Sequence, residues 1–148
     1  MDIKIMSYQM IEKAVFDHPT SVISIAAGSD GLFPSISGGF PKVPEKNLVR
    51  LLQLLFDDLD RPSIHEVLKD NYLLFSEHQA KKILEFAEWV KEDNSKLICQ
   101  CQAGISRSAG VAAALSVIYN GTDKWVFDDP RYSPNMLVYR TILDTYNR

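Results

Sequence analysis

The sequence predicts an α/β domain in three layers, with a central, mainly parallel sheet of about four or five strands flanked by helices. Short apolar, β-branched segments alternate along the chain with longer segments of helical periodicity. One helical segment is apolar on nearly every side, which indicates burial against a sheet. The 148 residues contain no repeat and no linker-like stretch, so residues 1–148 are expected to form one domain.

The first half of the chain is predicted to contain three strands. Residues 3–6 and 22–27 are short apolar runs, and residues 48–56 form a third run that ends in acidic side chains. A helix is predicted over residues 8–16. Residues 28–44 contain four of the seven glycines and three of the seven prolines, which predicts a loop. A loop of this length is either a functional flap or a connection without a role of its own, and both alternatives stay open.

The second half is predicted to alternate helix, strand and helix. Ser76 has the character of a helix N-cap, and the apolar residues that follow it up to position 90 recur at helical spacing. Residues 96–100 form a short apolar strand, and residues 107–119 form the helix that is apolar all round. Pro134 is predicted to begin a last helix.

The net charge of −3 and the pI near 5.6 argue against broad binding to nucleic acid or to an anionic membrane, both of which need basic surface. No apolar run approaches the roughly 20 residues that a membrane-spanning helix needs. The first residues lack the basic and then apolar pattern of a signal peptide. We therefore expect neither a nucleic-acid nor a membrane partner, and we expect a cytoplasmic location.

The cysteines and histidines predict neither a disulfide nor a metal site. The two cysteines are one residue apart, which would strain a bridge between them. No histidine stands at metal-ligand spacing from another histidine or cysteine. We expect no metal and no organic cofactor, and we interpret the histidines as surface or packing residues; they are His18, His65 and His78.

One segment has the pattern of a reactive anion site. Cys101 follows a strand, Arg107 begins a helix, and the loop between them contains Gly104. The backbone N–H groups of a tight loop that leads into a helix point inward and attract anions. An arginine adds a planar fork that donates two hydrogen bonds to a phosphate. The predicted phosphate-binding residues are Gln102, Ala103, Gly104, Ile105, Ser106 and Arg107.

The same setting activates the cysteine. At such positive sites a thiol pKa typically falls to about 3.5–7.5, so the sulfur is a thiolate aimed at the bound phosphorus. A cysteine followed six positions later by an arginine is weak on its own, because chance produces it in roughly one case in twenty. The preceding strand, Gly104, Ser108 and the buried helix make the combination specific.

The segment from Cys101 to Ser108 resembles the signature loop of the cysteine-dependent protein tyrosine phosphatase superfamily, Cys-x-x-Gly-x-x-Arg-Ser/Thr. The short chain is closer to the compact dual-specificity branch than to the larger tyrosine-specific enzymes. Phe56-Asp57-Asp58, the helix of residues 76–90 and Ser133-Pro134-Asn135 are similar to the small predicted tyrosine phosphatases of bacteria. The similarity runs from about residue 48 to the C-terminus and is fainter before it.

The resemblance implies roles for further residues. In the family an aspartate on a separate loop donates a proton to the leaving oxygen, and Asp58 is preferred for this role over Asp57 and Asp60. The alternative is that these aspartates merely cap a turn. Ser108 corresponds to the hydroxyl that stabilises the sulfur as a leaving group. Asn135 either braces the loop or simply starts a helix.

The two residues that directly precede Cys101 are Cys99 and Gln100. The family usually has a histidine directly before the nucleophile, whereas this chain has Gln100, whose amide donates hydrogen bonds without a positive charge. This departure favours reduced activity. Cys99 is interpreted as a buried strand thiol, and the alternative is a redox partner of Cys101.

The predicted function is hydrolysis of a phosphate monoester through a phosphocysteine, probed best by an aryl phosphate and by a Cys101→Ser variant. A phosphate-binding module of the same fold without turnover is the first alternative. A thiolate-dependent sulfurtransferase is the second, and it would not require Asp58. The expected partner is a phosphorylated protein or small phosphomonoester, with the substrate itself left open.

Overall fold

A computed structural model describes residues 1–27, 39–59 and 73–148 of the chain. Within these ranges strands and helices follow one another as the sequence predicted. The elements in chain order are β1 (Ile3–Met6), α1 (Tyr8–Glu12), β2 (Thr20–Ala26), β3 (Leu48–Leu55), α2 (Glu77–Asp93), β4 (Lys96–Gln100), α3 (Arg107–Asn120), α4 (Lys124–Phe127) and α5 (Met136–Tyr146).

The sheet is parallel throughout its described part. Its four strands lie in the order β1-β4-β2-β3, so the strand that precedes Cys101 is central. Ile98 is opposite Val22, and Gln100 is opposite Ser24. The α/β class and the mainly parallel sheet are thereby confirmed. The parallel arrangement brings the carboxyl ends of all four strands to one edge of the sheet. Ligand-binding sites of parallel α/β sheets lie at this edge.

Alternation along the strands divides the core into two apolar layers. Cys99 and Ile23 pack against α2, α3 and α5 in the larger cluster. Ile98 and Val22 point to the other face and pack with Ile11 of α1 in the smaller cluster. Successive side chains of a strand point to opposite faces, so both faces of the sheet are covered.

The helix α3 is buried along most of its length, as its composition predicted. Its first ten residues, 107–116, are all buried. A Cβ added at Gly110 would lie 2.7 Å from the carbonyl oxygen of Asn135, so this position requires glycine for the close approach of α3 to the start of α5. The helix ends at Gly121, which has a φ of +77°.

Several boundaries differ from the predictions. The first helix ends at Glu12, short of residue 16. The last helix begins at Met136, two residues after Pro134, because the Asn135 side chain accepts the Val138 N–H and makes Asn135 the N-cap. The four-residue helix α4 was not predicted.

The predicted loop of residues 28–44 has no helix or strand over 39–44, and its remainder lies outside the described residues. His65 lies outside them as well. Among the helices that the structure describes, none has the length and apolar character to cross a membrane. In the same part of the chain, no three histidine, cysteine or acidic side chains cluster in a way that could hold a metal ion.

Candidate active site

Cys101 lies directly after the central strand β4 and is 2% exposed. Its Sγ is 3.0 Å from the Ser108 hydroxyl oxygen, and the Ser108 backbone N–H donates to the same sulfur at 3.5 Å. The loop that begins here is tied to the first helix, because the Tyr8 N–H donates to the Gln102 carbonyl at 3.1 Å. The sulfur is thus held at the base of the loop by the first turn of α3.

The loop amides are available to a ligand. None of the backbone N–H groups of residues 102–107 donates a hydrogen bond to any residue within 1–27, 39–59 or 73–148. Gly104 allows the tight turn, since its φ is +67° and an added Cβ would lie 2.8 Å from the Ser7 nitrogen. Successive unpaired amides ahead of a helix form a concave anion site.

Arg107 is the first residue of α3 and is 9% exposed. Its Nη1 donates to the carbonyl oxygen of Phe56 at 3.1 Å. This contact fixes the guanidinium to the end of β3, and its other N–H groups donate to no residue in the described ranges. A guanidinium has five N–H donors, so a fork remains for an oxyanion.

The segment after β3 brings a carboxylate to the same loop. Asp58 Oδ1 accepts from the Ser106 hydroxyl at 2.8 Å and from Asn135 Nδ2 at 2.9 Å. Its Oδ2 accepts no hydrogen bond from the portion of the chain that the structure describes. Asp58 is exposed. One carboxylate oxygen is therefore held in place while the other is open to solvent.

Asp57 is placed differently from its neighbour. It is buried, its Oδ2 accepts the Leu73 N–H at 2.6 Å, and its own N–H donates to the Leu73 carbonyl at 2.7 Å. The side chain thus joins the end of β3 to the segment that precedes α2. Asp60, the third candidate, lies outside the described residues.

Asn135 connects three parts of the site. It is 2% exposed, and its Nδ2 also donates to the Leu59 carbonyl at 3.2 Å. Its backbone N–H donates to the Ser106 carbonyl at 2.9 Å, and its Oδ1 caps α5. Asn135 therefore contacts the loop through its backbone N–H, while its side chain holds the segment after β3 and starts the helix α5.

No family model matches the chain, and no curated protein matches its sequence. Solved structures do match. The human tyrosine phosphatase-like serine/threonine/tyrosine-interacting protein is 17% identical, with a TM-score of 0.66 over 98% of this chain and 91% of that one. Tk-PTP in the active form is 15% identical, with a TM-score of 0.59 over 100% and 93%. PTPMT1 in complex with PI(5)P is 14% identical, with a TM-score of 0.58 over 99% and 90%.

The chain has the tyrosine phosphatase-like fold. The resemblance read from the signature loop is confirmed at the level of the fold, and with it the compact dual-specificity-like architecture. These structures cover nearly the whole chain, including the part before residue 48 where the sequence similarity was faint. The tyrosine phosphatase-like fold therefore includes β1 and β2.

The tyrosine phosphatase-like fold places Gln100 on the sheet face opposite Cys101. Gln100 is fully buried, and its Oε1 accepts the Ser24 hydroxyl at 2.5 Å. Cys99 is fully buried on the same face as Cys101. Burial, together with the neighbouring Cys101, raises the pKa of the Cys99 thiol far above its ordinary value. Cys99 therefore stays a neutral thiol.

Sequence reasoning missed two components of the site. The Phe56 carbonyl holds Arg107, and no side-chain pattern identifies a backbone acceptor. Ser24 pairs with Gln100 across 76 positions, and its only signal in the sequence was a hydroxyl inside an apolar strand. Ser106 was predicted to bind phosphate through its amide, whereas its side chain also bonds Asp58.

Proposed function

We propose that the protein is a cysteine-dependent phosphomonoester hydrolase of the tyrosine or dual-specificity type, acting through a phosphocysteine. The observation that carries this proposal is the position of Cys101 Sγ, 3.0 Å from the Ser108 hydroxyl, at the base of a loop whose amides are unpaired among the described residues. The solved structures that share the fold include OH1 from the Orf virus, which is named as a tyrosine phosphatase, and this supports the same activity.

Substrate binding uses the loop and the arginine. The phosphate oxygens accept the amides of residues 102–107, and Arg107 donates its remaining N–H groups. These donors are arranged before the substrate arrives, so they stabilise the charge that develops on the equatorial oxygens without reorganisation. The Phe56 carbonyl keeps the guanidinium oriented toward the loop.

In the first step the Cys101 thiolate attacks phosphorus and the bond to the leaving oxygen breaks. Asp58 donates its proton to that oxygen. Its Oδ2 is the atom for this transfer, because Oδ1 is engaged by Ser106 and Asn135. A general acid of this kind contributes about 10²–10⁴ in rate. The products are the free alcohol or phenol and a phosphocysteine.

In the second step water attacks the phosphocysteine and the sulfur leaves. Asp58, now a carboxylate, accepts a proton from the water. The sulfur departs as a thiolate and accepts a hydrogen bond from the Ser108 hydroxyl, which lies 3.0 Å away. A hydrogen bond to a charged group is worth about 1.5–3 kcal/mol, so Ser108 accelerates this step in particular.

The substrate is a phosphorylated protein or a small phosphomonoester. PTPMT1, which shares the fold, has been solved with PI(5)P bound, so one protein of this architecture accommodates a phosphoinositide. The loop amides and Arg107 contact only the phosphoryl group, which all of these substrates share. Selection of one of these substrates over another must therefore come from residues around the loop.

A phosphate-binding module without turnover is the second candidate. It is favoured by Gln100 in place of the family's histidine. A structure with the same fold is named phosphatase-like and serine/threonine/tyrosine-interacting, which supports the candidate further. The nucleophile, the arginine and the acid candidate favour hydrolysis instead, because binding alone requires neither Cys101 nor Asp58.

The test is hydrolysis of para-nitrophenyl phosphate by purified protein, with Cys101→Ser and Cys99→Ser as a matched pair. We expect turnover that Cys101→Ser abolishes and Cys99→Ser retains, together with a phosphorus-labelled Cys101 after acid quenching. Phosphate binding by the wild type without turnover would support the binding module. Thiol-transfer activity that survives Asp58→Asn would support the sulfurtransferase.

A further inference from the structure

Two buried polar contacts join β2 to residues 95–100, the segment that contains β4. At the end distant from the nucleophile, the hydroxyl oxygens of Ser21 and Ser95 are 2.9 Å apart. At the nucleophile's end, the Ser24 hydroxyl donates to Gln100 Oε1. All four residues are buried. The second contact lies one residue before Cys101, and the first lies at the opposite end of β4.

The Ser24–Gln100 contact lies on the sheet face away from Cys101. Ile98 and Val22 belong to the cluster that packs on α1, whereas Cys99 and Cys101 belong to the cluster on the other face. Because side chains alternate along a strand, Gln100 shares the face of Ile98 and does not touch the sulfur from that side. Any influence on Cys101 passes through the backbone at the end of β4.

Within residues 1–27, 39–59 and 73–148, one polar atom of the contact has no hydrogen-bond partner. Gln100 is 0% exposed, and its Nε2 donates to no residue in the described ranges. A carboxamide has one acceptor oxygen and one donor nitrogen, so a single hydroxyl partner satisfies one of them in either orientation of the group. An unsatisfied buried donor is destabilising, whereas replacing both partners of such a contact by apolar groups of similar shape is neutral or stabilising.

A destabilising group next to a reactive loop is expected where function requires it. We propose that Gln100, held by Ser24, is a positioning residue that fixes the end of β4 and thereby orients Cys101, at the expense of fold stability. The inference rests on the proposed function for its catalytic consequence and on the described geometry for its structural one. It identifies a role for the glutamine that replaces the family's histidine.

The inference separates stability from activity, so one set of variants tests it. Gln100→Met removes the carboxamide at similar volume, and Ser24→Ala removes its partner. Ser21→Ala is the matched control, since it breaks the other buried polar contact of β2, which is made to Ser95 just before β4 and far from Cys101. Each variant is compared by its Tm, by kcat and KM for para-nitrophenyl phosphate, and by the rate at which iodoacetamide alkylates Cys101, followed by peptide mapping.

For the double variant Gln100→Met with Ser24→Ala, which leaves neither partner of the contact unpaired, we expect a Tm equal to wild type or higher by roughly 2–4 °C. For Gln100→Met alone we expect a kcat roughly tenfold lower, with KM within about twofold, because the loop still binds phosphate while the sulfur is misaligned. Alkylation of Cys101 slows by a factor of about three or more, and Ser24→Ala shifts both rates in the same direction. Ser21→Ala lowers the Tm and leaves both rates within about twofold of wild type.

Two results would overturn the inference. Gln100→Met with wild-type kcat and alkylation rate would make the carboxamide a packing group. A double variant, Gln100→Met with Ser24→Ala, that is less stable than wild type or does not fold would show that the contact stabilises the core. Alkylation does not depend on turnover, so a protein that hydrolyses nothing still reports on Gln100. Slower alkylation in that case keeps the positioning role while the proposed function is lost.

Discussion

The Ser106 hydroxyl donates a 2.8 Å hydrogen bond to Oδ1 of Asp58, which joins the loop after β4 directly to the segment after β3. Asn135 donates to the same oxygen from the start of α5. Two donors on one carboxylate oxygen fix its orientation, and Oδ2 accepts no hydrogen bond from the described residues. The acid candidate and the phosphate loop therefore form one connected unit.

The two neighbouring aspartates are expected to respond differently to substitution. Asp58→Asn keeps an oxygen for Ser106 but has no proton to donate, so kcat for an alkyl or aryl phosphate falls by about 10²–10⁴. Asp57→Ala leaves the Leu73 N–H without its acceptor and lowers the free energy of unfolding by about 1–3 kcal/mol. Steady-state kinetics and urea unfolding measure the two effects.

A change of leaving group and the variant Asp57→Asn serve as controls for the role of Asp58. A leaving group with a low pKa needs little protonation, so the loss from Asp58→Asn should shrink for such a substrate. If Asp57→Asn, which retains the oxygen that Leu73 needs, lost more activity than Asp58→Asn, the roles of the two aspartates would have to be exchanged.

Asn135 has a capping role and a bracing role that two variants separate. Asn135→Ser keeps a side-chain oxygen suited to an N-cap but removes the amide that reaches Asp58 and Leu59. We expect near wild-type stability with a kcat roughly tenfold lower. Asn135→Ala loses both roles and should also unfold more easily by about 1 kcal/mol. Equal kcat in Asn135→Ser and the wild type would contradict the brace.

The sheet and the turn of the loop that follows β4 were predictable because their signals are local. The apolar run before Cys101, the glycine at 104 and the arginine at 107 each act on their immediate neighbours. The contacts of Asp58 with Ser106 and of Gln100 with Ser24 join residues 48 and 76 positions apart. Such pairings depend on strand order and register, which the periodicity of one segment does not contain.

Ser108 is expected to affect the second chemical step more than the first. Its hydroxyl lies 3.0 Å from Cys101 Sγ, so in the proposed mechanism it donates a hydrogen bond to the departing thiolate. In Ser108→Ala the phosphocysteine should break down about 10–100 times more slowly, which corresponds to the 1.5–3 kcal/mol of a hydrogen bond to a charged group. Rapid-quench kinetics should then show a burst of phenol before a slow steady state. A uniform loss in both steps, without a burst, would argue against this role.

Cys99 should be chemically silent in the folded protein. Burial and the nearby Cys101 raise the pKa of its thiol, so iodoacetamide should label Cys101 and spare Cys99 until the protein unfolds. Below about pH 8.5 the Cys99 thiol is neutral in both the folded and the unfolded protein, so stability does not depend on its ionisation. At higher pH the unfolded thiol ionises while the buried thiol stays neutral, so stability falls as the pH rises. Cys99→Ala should therefore show a shallower loss of stability in alkaline urea titrations, and an unchanged slope would contradict the assignment.

Two glycines with positive φ should differ sharply in what alanine does to them. Gly104 has a φ of +67° and its added Cβ would meet the Ser7 nitrogen at 2.8 Å, whereas Gly121 has a φ of +77° and open space around it. Gly121→Ala should cost about 1–2 kcal/mol of stability through the left-handed backbone alone and leave kcat unchanged.

Gly104→Ala adds a collision between the new Cβ and the Ser7 backbone, so the loop must move. The backbone N–H groups of residues 102–107 would then no longer be positioned to bind one oxyanion together. We expect greater destabilisation than at Gly121 and at least a tenfold weaker affinity for vanadate, measured by inhibition or calorimetry. Equal vanadate affinity in the two variants would mean that the loop does not depend on this glycine.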